Sequence, residues 1–258
     1  MRVEHPWDDA FLARLYDAFP FTDDLPFYAR LAAAQGGRVL ELGCGSGRVL
    51  VSLAQAGHEI VGMDVSSHML ALAREKLAAA GPEVAARGRL VCGDLRAFHL
   101  GERFGLAIIA VKTFSYLVTR QEQQQALASV AAHLAPGGLL ALDLLNPTPD
   151  WLCRPPGSVR QDVFGELPSG EGSVARTETM VSTDLATQVR VTRSAYEVVE
   201  DGHLTKRYVE WPFRYTYRFE AEHLLEREGF EVEAVHGGYD GQPFTSQSPV
   251  LLLLGRRR

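Results

Sequence analysis

Cysteine is scarce in this chain: Cys44, Cys92 and Cys153 are the whole complement, and no two form a CxxC pair. An odd number without paired spacing argues against a disulfide framework and a zinc site, and fits a reducing cytoplasm. Positive charge is not in excess either. The formal net charge is −6, so no global basic field draws nucleic acid. The one basic run, Arg256-Arg257-Arg258, reads as a solvated tail. The eight histidines show no HxxxH or HxH spacing, so no metal site is expected. Long hydrophobic runs are missing as well. The stretch 250–254 is too short to span a bilayer, and the opening MRVEHPWDDAF lacks the basic and apolar regions of a signal peptide. What is plentiful is apolar side chain, 46% of 258 residues. That fills one core and favours one domain with an elaboration over two equal domains.

Residues 8–34 read as two helical pieces broken at Pro20 and Pro26, with Leu12, Leu15, Tyr16 and Phe19 at helical spacing. A strand–helix alternation follows. Strands are expected at 38–42, 59–63, 89–92, 104–111 and 139–145, and helices at 47–56, 66–80 and 121–134. Ser66 or Ser67 is the N-cap of the second helix. Such alternation predicts a parallel sheet with helices on both faces. Residues 147–172, rich in Pro, Gly and Ser, read as a connection. From 173 to 219 the period becomes two: Val209, Trp211, Phe213, Tyr215, Tyr217 and Phe219 alternate with more polar neighbours. Pro212 suggests an edge or a bulge, and Asp201-Gly202 a hairpin turn after a strand at 189–199. Three or four antiparallel strands are thus inserted late in an α/β fold. A helix at 220–228 and strands at 230–236 and 250–254 complete it. Four segments result: a helical cap (1–35), an α/β core (36–147), a β-rich insertion (148–218) and a completion of the core (219–258).

The stretch VLELGCGSGR, 39–48, ends an apolar strand in an acid and three alternating glycines. A P-loop requires lysine and a hydroxyl after its last glycine, but Arg48 and Val49 follow Gly47. A dinucleotide loop requires GxGxxG, and that register fails from Gly43 and from Gly45 alike. The observed pattern is GxGxG. Glu41 beside it disfavours a pyrophosphate and suits a cationic ligand. Asp64 at the end of the second strand stands where a nucleoside-binding α/β fold places an acid for the ribose hydroxyls. Asp94 and Leu95 follow the third strand, where a carboxylate and an apolar side chain suit an adenine. Each residue has a plainer reading: Gly47 as a helix start, Asp64 as a first-turn acid, Asp94 as a turn cap. Three acids at the ends of three successive strands favour the nucleoside.

These segments, with GMDVSSHML (62–70), CGDLRAF (92–98), LAIIAVKTFSYL (106–117) and HLAPGGLLALDLLNP (133–147), resemble class I S-adenosylmethionine-dependent methyltransferases in order and spacing. The tail GYDGQPFTSQSP (238–249) resembles the ending of bacterial small-molecule methyltransferases. The late β insertion resembles, in layout alone, the lids of sugar-amine and glycine N-methyltransferases. The resemblance implies a Rossmann-like sheet and S-adenosyl-L-methionine as cofactor, with S-adenosyl-L-homocysteine as product. It implies that Glu41 holds the methionine ammonium and that Gly43, Cys44, Gly45 and Gly47 let backbone approach the ligand. Asp64 takes the ribose diol, Val65 and Met69 lie near the adenine, Asp94 and Leu95 hold it, and Ala110 offers a carbonyl to the ammonium. Arg48 is either a partner of the methionine carboxylate or a surface residue.

Methyl transfer from a sulfonium is an in-line displacement that depends mainly on alignment in a dry site. A dedicated base is needed only for a protonated nucleophile. The candidates for catalysis are Tyr16 and His133, the latter also explained as a helix-end residue. Val111-Lys112-Thr113-Phe114 replaces the Asn/Asp-Pro-Pro-aromatic motif of enzymes that methylate exocyclic base amines or glutamine. A small-molecule O- or N-acceptor is therefore expected. Candidates for its pocket are Tyr28, Phe114, Tyr116, Trp211, Arg214 and Tyr215, with the insertion's own core as the other explanation of the aromatics. Two alternatives are a non-catalytic S-adenosylmethionine-binding subunit or sensor and a tRNA-modifying methyltransferase. An NAD-dependent oxidoreductase is disfavoured by the failed glycine registers. A monomer or homodimer without membrane attachment is expected.

Overall fold

Four consecutive buried residues, Val39–Leu42, form β1, and both its neighbours run parallel to it: β2 (Ile60–Asp64) on one side and β4 (Phe104–Ile109) on the other. The computed structural model describes residues 8–258, and only the backbone at 161–163. The first seven residues of the stretch read for a signal peptide and of the helical cap lie outside that range. β3 (Gly88–Cys92) flanks β2, and β5 (Leu134–Leu145) flanks β4, again in parallel. The sheet is not parallel throughout. β11 (Val250–Arg257) pairs antiparallel with β5, and β10 (Phe230–His236) pairs antiparallel with β11. The full order is β10-β11-β5-β4-β1-β2-β3.

Alternation along each strand sends side chains to two cores. On one face Leu40, Leu42 and Leu142 meet α6 (Arg120–His133) and α8 (Arg218–Arg227). On the other Val39, Ile60 and Ile108 meet α2 (Leu25–Gln35), α3 (Arg48–Gln55) and α4 (Ser67–Ala79). The expected cap at Ser66 is present, its hydroxyl accepting from Met69 N. Thr119 and Glu122 make a capping box at α6. Among the described residues no helix is long and apolar enough to cross a membrane.

The insertion is a four-stranded antiparallel sheet, β6 (Val159–Glu166), β7 (Ser173–Asp184), β8 (Val189–Glu200) and β9 (His203–Arg214). Asp201 and Gly202 both take positive φ in the β8–β9 turn, which matches the twist of a two-residue hairpin. Pro212 lies on the edge strand β9. α1 (Ala10–Tyr16) packs Leu12 and Leu15 against Val174, Val198 and Trp211 of this sheet, so the N-terminal helix and the insertion share a third core.

Several sequence expectations need correction. Pro26 does not break a helix; it stands in the first turn of α2, where a missing N–H costs nothing. The stretch read as a connection, 147–172, contains a turn of helix, α7 (Pro149–Leu152), and β6. The period-two run stops at Arg214, because Tyr217 and Phe219 belong to the cap and first turn of α8 and stand exposed. A short helix, α5 (Pro82–Ala85), follows the expected stop at Gly81. The terminal arginines are not a loose tail: Arg256 pairs with Glu233, and Arg257 donates to the carbonyls of Ala131 and Gly229.

A buried polar seam ties the C-terminal segment to the sheet. Tyr239 Oη donates to Asp143 Oδ2 at 2.7 Å, and Val111 N donates to the same oxygen at 3.1 Å. Burial pushes the Asp143 carboxyl up to about 6, against the lowering effect of Tyr239, Lys112 and Val111 N. Its folded value therefore lies above the ordinary one, so its contribution to stability is complete below about 3.8 and lost as pH rises through about 6. Tyr239→Phe removes a donor to the charged form. The expected loss is about 1–3 kcal/mol above that pH, shrinking below it, as urea unfolding on both sides of pH 6 will measure.

Candidate active site

Strand order reverses across β1, with β2 and β3 to one side and β4 and β5 to the other. At such a reversal the loops leaving the carboxyl ends diverge and open a crevice. A cavity of about 630 Å³ lies there, within the usual range for a small-ligand site. The loops after β1, β2, β3 and β4 form its floor. Tyr16 of α1 and Phe19 and Phe21 beyond it form the roof, and Arg176 and Tyr196 of the insertion close one side.

Gly43 N and Cys44 N donate to Met63 O at 2.7 and 3.0 Å, which folds the loop back over β2. Gly43 has φ of +72°, and a Cβ there would lie 2.3 Å from Thr113 Cγ2. Gly45 N donates to Asp64 Oδ2 at 2.8 Å, and Ser66 N to Asp64 Oδ1 at 2.9 Å. Asp64 thus joins the glycine loop to the start of α4 while lining the cavity with Val65 and Met69. Gly47 stands elsewhere: a Cβ on it would come 2.9 Å from Ala73 Cβ, so it lets α3 approach α4.

Glu41 lies at the cavity floor, 2% exposed, with Oε2 lacking any hydrogen-bond partner. Burial raises its carboxyl to about 8, although Arg48 pulls the other way. Arg48 is not a surface residue. It lines the cavity, holds the fully buried Asp24 through both carboxylate oxygens, and lies 5.5 Å from the Phe21 ring centroid. Asp94 and Leu95 line the cavity too, and Asp94 also holds Arg96, which reaches Glu122 at 2.8 Å. The Ala110 carbonyl accepts from Thr113 N at 3.1 Å and Thr113 Oγ1 at 2.8 Å, within the turn after β4.

The structure brings Tyr16 and Tyr116 to the cavity, both with phenols raised mainly by burial. It places the other candidates apart from it. His133 stacks on Phe98 at 4.2 Å; its Nε2 accepts from Leu100 N and its Nδ1 meets Ser129 O, so both nitrogens serve the backbone. Tyr28 and Phe114 are core residues on opposite faces of the sheet. Arg214 binds Glu220 at 2.9 Å, and Tyr215 packs edge-on to Trp151. Trp211 lines a smaller cavity between the insertion and the core and donates to Ser194 Oγ. Sequence reasoning missed Arg176, Tyr196, Phe19 and Phe21 as cavity walls. The first two had a signal, since both fall on alternating strand positions that share one face of the inserted sheet.

Residues 39–138 match the methyltransferase domain family. A Streptomyces venezuelae protein, dTDP-3-amino-3,4,6-trideoxy-alpha-D-glucopyranose N,N-dimethyltransferase, is 26% identical over 244 residues, 93% of this chain and 95% of that one. An uncharacterised methyltransferase of Synechocystis sp. is 30% identical over 166 residues, covering 62% of this chain and 73% of its own length. The structure of CalS10 with bound S-adenosylmethionine, an amino pentose methyltransferase from Micromonospora echinaspora, superposes with a TM-score of 0.70 at 25% identity over 100% of this chain and 99% of the other. The unpartnered Glu41 oxygen beneath a glycine loop and the acid at the end of β2 fit such a ligand. By its Rossmann-like sheet and this likeness, the chain belongs to the class I S-adenosylmethionine-dependent methyltransferases.

Proposed function

We propose that this methyltransferase acts on an amine nitrogen of a small molecule. The carrying observation is that each candidate base of the cavity has another task. Among the described residues no histidine lines it, and Lys76 pairs with Asp17 at 2.6 Å. Asp94 holds Arg96, Asp64 accepts from Gly45 N and Ser66 N, and Glu41, raised to about 8, is taken by the cofactor's ammonium in this reading. A hydroxyl acceptor must lose a proton to become a strong nucleophile, which calls for a base near its working pH. A neutral amine needs only alignment. When bound, S-adenosylmethionine supplies a methyl group on its sulfonium for in-line displacement.

The chain's residues supply the rest. Glu41 holds the ammonium, relieving the cost of its own orphaned oxygen. Asp64 receives the ribose hydroxyls while bracing Gly45, and Asp94, Leu95, Val65 and Met69 surround the adenine. Tyr16 and Tyr116, whose raised phenols stay neutral, orient the amine and exclude water. The double use of the Ala110 carbonyl by Thr113 favours Glu41 over Ala110 as the main counterpart of the ammonium. The roof of α1 over the strand ends supports a small acceptor rather than a polymer. The N,N-dimethyltransferase activity named for the Streptomyces venezuelae relative agrees with nitrogen as the target.

The test is S-adenosylhomocysteine release with matched pairs of small molecules that differ only in an amine or a hydroxyl at one position. Turnover of the amines, with a rate that climbs with pH as the acceptor deprotonates, is expected. Turnover of the hydroxyl members alone overturns the reading.

A further inference from the structure

The inserted sheet carries a second cavity, of about 330 Å³, which adjoins the first through Val111, Tyr116, Arg176 and Tyr196. Its charge runs against that of the chain. Five cations line it, Lys112, Arg154, Arg160, Arg176 and Arg190, against one carboxylate among the described residues, Glu178, in a protein of net charge −6. Around this cavity the inward face of β7 and β8 carries Arg176, Glu178, Arg190, Thr192 and Ser194, whereas the same face at Val174 and Val198 is apolar and joins the third core.

Arg190 is the residue that a purely structural account leaves unexplained. It is 2% exposed. One guanidinium nitrogen donates to the Trp151 carbonyl, and its Cζ lies 4.2 Å from the centroid of that indole. Its Nε has no hydrogen-bond partner, and among the described residues no carboxylate stands within ion-pair distance of it. Burial pushes its pKa down; Glu178 opposes this and Arg154 adds to it. A buried charge without an ion-pair contact is costly, and an apolar residue of the same volume is generally the more stable choice.

We propose that this second cavity is the acceptor's oxyanion subsite: a carboxylate or phosphoryl oxygen of the methyl acceptor pairs with Arg190, with Arg154 at the rim. Trp211 and Phe213 give the acceptor's carbon skeleton apolar contact, and its amine reaches past Tyr116 toward the larger cavity. Planar guanidinium forks suit both oxyanions. The assignment rests on the larger cavity being the site of methyl transfer.

The test is titration of the whole chain with inorganic phosphate and, separately, acetate. It is followed by tryptophan fluorescence, because two of the three tryptophans, Trp151 and Trp211, line this cavity. A saturable response to at least one anion is expected. Arg190→Met should weaken it about tenfold or more, as loss of charge-assisted hydrogen bonds implies. The same variant should melt no lower than the wild type in anion-free buffer, an outcome that a structural role for Arg190 would reverse. Arg154→Gln, at an exposed position, should weaken anion binding without moving the melting temperature. It carries the test if Arg190→Met does not fold. Saturation by phosphate alone assigns a phosphoryl group, and by acetate alone a carboxylate. Saturation by neither, or anion affinity unchanged in the variants, overturns the proposal. S-adenosylmethionine titrated in parallel separates the two readings. A chain that binds the cofactor but neither anion loses only the oxyanion subsite. One that binds an anion but not the cofactor loses the transfer site.

Discussion

Glu41→Gln is expected to weaken S-adenosylmethionine binding by about 1.5–3 kcal/mol, roughly ten- to a hundredfold in Kd, and to remove the acid limb of its pH dependence. The reason lies in the burial of Glu41, which lifts its carboxyl from the ordinary 4.5 to about 8. A folded value above the unfolded one means that the stability due to this group is complete below about 4.5 and lost as pH rises through about 8. At neutral pH the cofactor-free protein therefore holds Glu41 mostly protonated. An arriving ammonium favours the carboxylate, so binding below pH 8 releases a proton and weakens as the pH falls. Above roughly 7.7–8.0 an α-amino group begins to lose its own proton, so affinity should peak near that pH. Glutamine keeps the shape and stays neutral. The variant should bind weakly, release no proton in that window, and be more stable than the wild type at high pH without cofactor. Calorimetric titrations in two buffers of different ionisation enthalpy count the protons. An unchanged count in the variant removes Glu41 from the ammonium site.

The same residue shows what kind of information a sequence carries. Glu41, Asp64 and Asp94 were legible because each is an acid at, or within two residues of, the carboxyl end of one of three successive strands, a pattern that fixes position along a sheet edge. The Asp201-Gly202 turn was legible because so few dipeptides adopt two successive positive φ angles. Aromatic side chains were not legible in this way. Tyr28, Phe114, Tyr116 and Trp211 are chemically similar, and only tertiary packing decides that the first two fill the core while the others face cavities. β6 was hidden because its flanks, Pro155-Pro156-Gly157 and Pro168-Ser169-Gly170, dominate the local composition. Period two marked 173–219 as strand and gave a face for the run from Val209, but not that polar residues of β7 and β8 meet a cavity. Arg256 and Arg257 misled for a different reason: charged side chains can extend a buried strand when they reach carboxylates and backbone carbonyls beside it, as these do.

Gly43→Ala is expected to cost about 2–5 kcal/mol of stability, summing left-handed strain of about 1–2 kcal/mol with overpacking of about 1–3 kcal/mol, and to abolish cofactor binding at ordinary concentrations. The two parts have separate origins. The first is the backbone angle of +72°, which any L side chain adopts at a penalty. The second is the contact of 2.3 Å between an added Cβ and Thr113 Cγ2. Thr113 is poorly placed to move aside, because its Oγ1 and N both bind the Ala110 carbonyl. Thr113→Ser deletes the offending methyl group and keeps the hydroxyl. In the double variant the 2.3 Å overlap goes, while the strain of about 1–2 kcal/mol and the tight contacts of 3.0 Å to the hydroxyl oxygen and 3.2 Å to Cβ of residue 113 stay, so the loss should be smaller than in the single variant but not vanish. Urea unfolding of the four proteins gives the coupling directly. Full additivity of the two substitutions means that the threonine is not what the new methyl group meets. Cofactor binding should follow the same order, because the displaced loop carries Gly45 N away from Asp64 and so disturbs the carboxylate at the end of β2. A Gly43→Ala protein as stable and as cofactor-competent as the wild type contradicts the left-handed loop itself.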